Sequence, residues 1–262
     1  MKTQLVTEHI IKWLKDYATN AKVNGFVVGI SGGIDSAVTS TLCAETGLDV
    51  LCIEMPIHQA ASHVTRAQEH IAQLKKRYSN VSDTRADLTP VFEEFKTEIS
   101  LDGEQATVDM ALANTRARLR MTTLYYYAGL KALLVAGTGS KVEDFGVGFY
   151  TKYGDGGVDL SPIADLMKSE VYAVGNYLKV PESIMNAAPS DGLFGDTRSD
   201  EDQIGASYPE LEWAMEMQDQ GKNESDFNSR EQEVFKIYQG FNRRNKHKMI
   251  AIPVCEIPEN FK

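Results

Sequence analysis

The sequence predicts an α/β fold, a doubly wound parallel sheet flanked by helices on both faces. The first observation behind this is an apolar run, Phe26 to Ile30, that passes through Ser31-Gly32-Gly33 into a helical stretch, Asp35 to Ala44. The second is recurrence: Asp49 to Met55 (Val50, Leu51, Cys52, Ile53), Val81 to Leu88 and Ala132 to Ala136 read as further strands, with helical segments between them. The third is composition, since 262 residues that are 42% hydrophobic can bury a substantial core. Alternating strands and helices imply a parallel sheet with right-handed crossovers, whose ligands sit at the carboxyl ends of the strands.

The elements follow in order. Residues 3 to 20 place Leu5, Ile10, Ile11, Trp13, Leu14 and Tyr17 at helical spacing, which predicts an N-terminal helix over the sheet. The strand at Phe26 ends on the carboxyl rim, where Gly29-Ile30-Ser31-Gly32-Gly33-Ile34-Asp35-Ser36 forms the turn into the next helix. A strand, a glycine turn and a helix N-terminus together aim backbone N–H groups at an anion. Adjacent glycines let the main chain approach closely, and Ser31 and Ser36 add hydroxyl donors. Asp35 puts a carboxylate beside the anion, which suggests an intervening Mg²⁺. The plainer alternative is an N-cap aspartate at an ordinary strand–helix turn. The P-loop is excluded because no Gly-Lys-Ser/Thr is present there, and a Rossmann site is disfavoured because Gly-x-Gly-x-x-Gly is missing.

Ala60 to Tyr78 predicts a helix with Val64, Ala67, Ile71 and Leu74 on one face. Met55, Pro56 and Gln59 lie on the same rim and border either a ligand or a plain turn. Gln105 to Gly129 predicts a long helix in which Arg116 and Arg120 share a face and Arg118 points elsewhere. At least one of these arginines is expected to meet an anion or a partner subunit. After the strand at Ala132, Gly137-Thr138-Gly139-Ser140-Lys141-Val142-Glu143 returns to the rim. Thr138 offers a hydroxyl there, and Glu143 either shares a metal with Asp35 or is a surface glutamate. Lys152-Tyr153-Gly154-Asp155-Gly156-Gly157-Val158-Asp159 is a loop whose charged and aromatic residues suit a polar ligand carrying a ring. Pro189 to Glu201 predicts a mobile loop over a ligand, and Asp200-Glu201-Asp202 suits a helix start. Leu211 to Met217 and Glu231 to Phe241 predict surface helices with Trp213 and Phe235 inward.

Charge and cysteine usage narrow the function. The balance of 27 basic and 37 acidic residues gives a formal charge of −10, which argues against a nucleic-acid partner. Cys43, Cys52 and Cys255 are scattered and form no metal-binding pair, so a reduced, cytoplasmic setting is expected. No signal peptide and no run of roughly 18 apolar residues is present, so no membrane partner is expected.

Ser-Gly-Gly-Ile-Asp-Ser resembles the pyrophosphate loop of the N-type ATP pyrophosphatases, which cleave ATP to AMP and pyrophosphate. Taken with Ala-Arg-x-Arg-Met, Gly-Thr-x4-Glu on metal-ligand spacing, and Phe-Tyr-Thr-Lys-Tyr-Gly-Asp-Gly-Gly-x-Asp, the chain closely resembles NAD synthetase over roughly residues 8 to 250. The last motif is the most specific. The resemblance implies an adenine nucleotide alpha hydrolase-like fold and a single domain over residues 1–262, without a glutaminase domain. It implies that Gly29 to Ser36, Thr138, Lys168 and Ser190 bind ATP, and that Asp35 and Glu143 bind Mg²⁺. Arg118, Lys152, Asp159, His247 and Lys248 would bind deamido-NAD, with the homodimer that the family forms placing this site at the subunit interface. ATP would adenylate the nicotinate carboxylate and ammonia would displace AMP. Positioning and charge neutralisation are expected to carry the first step. Asp155 or Asp159 would accept the proton of ammonium, and Lys168, opening a helix from Met167 to Leu178, would supply charge to the lysine-free loop. Other pyrophosphate-loop enzymes, amidating or tRNA-modifying, are the alternative.

The chain also departs from the family pattern. Many members carry Gly-Thr-Asp-His-Ala-Ala-Glu where this chain has Gly-Thr-Gly-Ser-Lys-Val-Glu. One extra residue stands between Glu143 and Lys152, and Lys246-His247-Lys248-Met249 loses the basic residue that often follows His-Lys.

Overall fold

The computed structural model of the chain describes residues 1–59, 61–189 and 199–262. Its centre is an all-parallel sheet of β1 (Gly25–Gly29), β2 (Asp49–Glu54), β3 (Val81–Arg85) and β4 (Leu133–Val135), in the order β3-β2-β1-β4. Ten α-helices are assigned among the described residues: α1 (Thr3–Ala21), α2 (Ile34–Glu45), α3 (Ala61–Arg77), α4 (Thr89–Thr97), α5 (Gln105–Lys131), α6 (Lys168–Tyr177), α7 (Glu182–Met185), α8 (Asp200–Ile204), α9 (Tyr208–Asp219) and α10 (Ser229–Met249).

Period-two alternation along the strands divides the core into two layers. Phe26 and Val28 of β1 and Val50 and Cys52 of β2 pack with Leu14, Leu42, Leu74 and Val171 from α1, α2, α3 and α6. Val27, Leu51, Ile53 and Val135 point the other way, against Leu124 and Ala128 of α5. Both faces are covered, which is why β1 and β2 read as nearly unbroken apolar runs, whereas the edge strand β3 is largely polar and exposed. Leu14, Leu42 and Leu74 are each 0% exposed, and burying such a side chain stabilises by about 2 kcal/mol. A third cluster packs α9 and α10 on a π-helical turn, Val142–Val147, through Leu211, Val234, Phe235 and Tyr238. Phe235 is buried in it as expected, while Trp213 is half-buried.

The sheet diverges between β1 and β4, so the loops after those two strands open onto a topological switch point at the carboxyl rim. The expected α/β architecture is observed, with two local differences. β3 stops at Arg85 rather than Leu88, because its neighbour β2 runs into Pro56, which has no N–H to donate. The chain instead turns at Asp87, whose carboxylate accepts from Thr89 N at 3.0 Å, and enters α4 with Pro90 in its first turn. No helix among the described residues is long and apolar enough to cross a membrane.

Candidate active site

The turn from β1 into α2 folds around Gly32 and Ser36. Gly32 has φ +84°, and a Cβ there would lie 2.4 Å from the His63 carbonyl oxygen of α3, so only glycine fits. Ser36 Oγ donates to Gly33 O at 3.0 Å and accepts from Ser31 N at 3.3 Å, and the Ser31 and Ser36 hydroxyls stand 3.1 Å apart. Gly33 caps α2 without a side chain, so the first amides of the helix face the rim and carry its positive dipole end. Arg66 Nε ties the loop to α3 through Gly32 O at 3.1 Å.

Asp35, in the first turn of α2, and Glu143, in the π-turn, meet across Lys168. The Lys168 ammonium lies 2.7 Å from Asp35 Oδ2 and 2.8 Å from Glu143 Oε1, and its side chain is 2% exposed. Lys168 opens α6, whose start is fixed where Glu170 accepts from Met167 N at 3.0 Å and Glu212 accepts from Ser169 N at 2.8 Å. Tyr208 Oη donates to Glu143 Oε1 at 2.6 Å, with Asp200 Oδ2 also within 3.2 Å, and Ser140 donates from N and Oγ to Glu143 Oε2 at 3.1 and 2.6 Å. Burial and, secondarily, Glu143 push the Asp35 carboxyl up to about 6, even though Lys168 pulls it down. Burial also disfavours the Glu143 carboxylate, but Lys168 and the Ser140 and Tyr208 hydrogen bonds outweigh it and hold Glu143 at about 2. Burial opposes the Lys168 charge, yet its two carboxylates raise its pKa above the ordinary lysine value. Burial and then Glu143 push Tyr208 well above the ordinary phenol range, so it remains a neutral donor. Asp35 Oδ1 is buried and accepts no hydrogen bond. An orphaned carboxylate oxygen beside a second carboxylate is what a Mg²⁺ completed by substrate phosphates requires.

The π-turn, Val142–Val147, brings Asp144 over Gly139. A Cβ on Gly139 would fall 2.1 Å from Asp144 Oδ1, so the Asp144 carboxylate occupies the space that a side chain after Thr138 would fill. Burial first, then Glu143, Asp155 and Asp35, push Asp144 up to about 8. Asn242 and Asn245 of α10 donate to the carbonyls of Gly146 and Val147 at 2.7 and 2.8 Å, which satisfies groups that a π-turn leaves exposed.

The Lys152–Asp159 loop seats on one stripe of α5. Asn114 accepts from Thr151 Oγ1 at 2.6 Å, Arg118 Nη2 donates to Lys152 O at 3.3 Å, and Tyr125 Oη donates to Asp159 Oδ1 at 3.0 Å. Cβ atoms on Gly154 and Gly157 would lie 2.8 Å from Ala117 Cβ and 3.0 Å from Met121 Cγ, so these glycines let the loop rest directly on the helix. On the other face of α5, Arg116 stacks over Phe92 at 4.6 Å and Arg120 donates to Met55 O at 3.0 Å. The end of α10 grips the same loop: Lys152 Nζ donates to His247 O at 2.7 Å, and Lys248 Nζ donates to Gly148 O and Tyr150 O at 2.8 and 2.7 Å.

These parts surround one cavity of about 230 Å³. Gly29, Ile30, Ser31, Asp35, Ser36, Thr138 and Glu143 line it together with Tyr150, Gly154, Asp155, Gly157 and Val158. The expected residues of the phosphate loop, together with Thr138, Asp35 and Glu143, are thus brought together, with Gly32, Gly33 and Ile34 shaping the turn and Lys168 behind the carboxylates. Arg118, Lys152, His247 and Lys248 form a second group on the outer rim. Asp155 faces the cavity while accepting from Thr151 N at 2.9 Å. Asp159 is turned to the sheet end, where it also accepts from Val135 N at 2.8 Å. Ser190, and residues 190–198 of the expected Pro189 to Glu201 loop, lie outside the described residues. Sequence reasoning missed Tyr208 and Asp144 and gave Asp200 only a place at a helix start, because no local pattern joins them to Glu143.

The chain is similar to known proteins over nearly its whole length. The family model described as NAD synthase matches residues 6–251. The NH(3)-dependent NAD(+) synthetase of Methanosarcina mazei is 34% identical, with 98% of this chain and 100% of that protein covered. Among solved structures, NMN synthetase from Francisella tularensis superposes with a TM-score of 0.83 at 30% identity, covering 99% of each chain. The NH3-dependent NAD synthetase from Campylobacter jejuni does so with a TM-score of 0.77 at 26% identity, over 98% of this chain and 100% of that one. The chain therefore belongs to the NAD synthase family.

Proposed function

We propose that this chain amidates deamido-NAD with ammonia in an ATP-dependent reaction, releasing NAD, AMP and pyrophosphate. The observation that carries the reading is one cavity lined by both the phosphate loop and the Lys152–Asp159 loop. Two substrates held in one cavity can react without either leaving the site.

In the first step an oxygen of the nicotinate carboxylate attacks the α-phosphorus of ATP and pyrophosphate leaves. The nucleophile is already anionic, so no base is needed. Gly29 to Ser36, Thr138 and Lys168 hold and neutralise the phosphates, and Ser190 is assigned to the same set by the resemblance. Asp35 and Glu143 would hold Mg²⁺, which when bound polarises the phosphoryl oxygens and neutralises the leaving pyrophosphate. In the second step ammonia attacks the adenylated carbonyl carbon and AMP leaves. Asp155, facing the cavity, is better placed than Asp159 to take the proton of ammonium. Arg118, Lys152, His247 and Lys248 would receive the phosphates of deamido-NAD.

The reading includes one domain bearing both halves, and a homodimer whose interface completes the outer rim. Exposed Tyr126 and Leu130 on α5, 64% exposed each, give that interface apolar area. Three free cysteines, two of them buried, fit a reducing compartment such as the cytoplasm. A second reading draws on the Francisella tularensis relative, an NMN synthetase: the acceptor is then the mononucleotide acid, and the same carboxylate reacts. Purified protein supplied with ATP, Mg²⁺, ammonium and either acceptor separates the readings. NAD and AMP forming in equal amounts from deamido-NAD is the expected result. Exclusive turnover of the mononucleotide would establish the second reading, and turnover of neither by folded protein would overturn both.

A further inference from the structure

We infer that Lys168 is the resident cation of the metal site, so that the divalent ion cannot enter before ATP and arrives only together with it. This rests on the assignment of Asp35 and Glu143 as the metal ligands. Of their four carboxylate oxygens, two face the Lys168 ammonium at 2.7 and 2.8 Å. Glu143 Oε2 is held by Ser140, and Glu143 Oε1 is shared between Lys168 and Tyr208. Asp35 Oδ1 remains as the one without a hydrogen bond. A single open carboxylate oxygen does not assemble a site for Mg²⁺, which dehydrates reluctantly and binds through one or two carboxylates plus phosphates. A divalent ion placed between these carboxylates would also stand beside the ammonium that already bridges them at 2.7 and 2.8 Å, and the two cations would repel.

Nucleotide removes both obstacles. Its phosphates bring the missing oxygens and give the ammonium an alternative anion, so Lys168 exchanges carboxylates for phosphate as the metal takes its place. Glu143 need not move during the exchange, because Ser140 and Tyr208 continue to hold it. In the nucleotide-free protein Lys168 also prevents two buried carboxylates from repelling each other. The lysine thus serves two states in turn.

The test uses the full chain, stripped of metal, with Mn²⁺ as the probe and α,β-methylene-ATP as an uncleavable nucleotide. Binding is read by water proton relaxation, which separates protein-bound Mn²⁺ from Mn²⁺ on free nucleotide. Wild type is expected to bind Mn²⁺ only when the nucleotide is present. K168Q keeps hydrogen bonds to both carboxylates but removes the charge, and is expected to bind nucleotide-free Mn²⁺ at least about tenfold more tightly than wild type. Wild type binding Mn²⁺ equally well with and without nucleotide, in a manner lost in E143Q, would overturn the inference, as would a folded K168Q that binds no more tightly than wild type. The wild-type comparison stands if K168Q does not fold. Undiminished nucleotide-dependent binding in E143Q would instead overturn the ligand assignment, a failure that leaves the wild-type nucleotide dependence intact.

Discussion

Where the ATP phosphates are proposed to bind, a cation meets carboxylates; where the acceptor is proposed to bind, cations meet backbone carbonyls. Lys168 is enclosed by Asp35 and Glu143, with Tyr208 and Ser140 completing the cluster. Arg118, Lys152 and Lys248 donate to the carbonyl oxygens of Lys152, His247, Gly148 and Tyr150. A carboxylate neutralises its partner, whereas a carbonyl orients a cation and leaves its charge available to an incoming anion. The first end is therefore preassembled around its own counterions. The second stays electrostatically open, and its groups lie where a second copy of the chain or the acceptor itself can cover them. Burial follows the same division, since Lys168 is 2% exposed while Arg118, Lys152 and His247 are exposed or half-buried.

Five substitutions test how separate the ends are. The largest effect is expected from D35N or E143Q, which should lower kcat by about a thousandfold by removing the metal ligands, with little change in the KM for the acceptor. Steady-state kinetics with both substrates varied checks this, and a loss confined to acceptor KM would merge the two ends. R118A should raise the KM for the acceptor roughly 10- to 100-fold and leave ATP binding unchanged by calorimetry, because one charge-assisted contact is lost. The reverse pattern would reassign the arginine.

D144N acts on stability through pH. In the folded, metal-free protein Asp144 keeps its proton until about pH 8, whereas in the unfolded chain it releases it near pH 4 (about the ordinary value). Between those values the unfolded state binds fewer protons, so this group makes stability fall as pH rises. D144N should therefore stabilise the protein at pH 8 by on the order of 1–2 kcal/mol, a figure reduced because the carboxylate borders an open cavity, and by almost nothing at pH 4. Equal melting shifts at both pH values would contradict the assigned environment. The smallest effect belongs to Y208F, which removes one hydrogen bond to Glu143 and should cost about 1 kcal/mol in denaturant unfolding while Ser140 and Lys168 still hold the carboxylate.

What the sequence revealed and what it concealed divide along a physical line. The β1–α2 turn was legible because glycine, strand and helix signals lie within a few residues of one another. The Lys152–Asp159 loop was legible for the same reason. α4 was not, because its nine residues carry only a short stripe, Val91, Phe92 and Phe95, of which Phe92 alone is buried. The Lys168 cluster joins residues 133 positions apart at Asp35, and the Tyr208 contact to Glu143 spans 65. No local pattern reports such pairings; the resemblance supplied Lys168 but assigned it to the nucleotide alone. Asp144 carried no signal of its own in the sequence, and its place over Gly139 follows only from the π-turn.

Isotope exchange between pyrophosphate and ATP, run without ammonium, tests the central claim most directly, because it isolates the step in which the two ends cooperate. Wild type should catalyse exchange that requires deamido-NAD and a divalent metal. E143Q should abolish it, and R118A should restore the full rate at saturating acceptor. Exchange in the absence of any acceptor, or an R118A rate that stays low at saturation, would contradict a cavity built from one preassembled phosphate end and one open acceptor end.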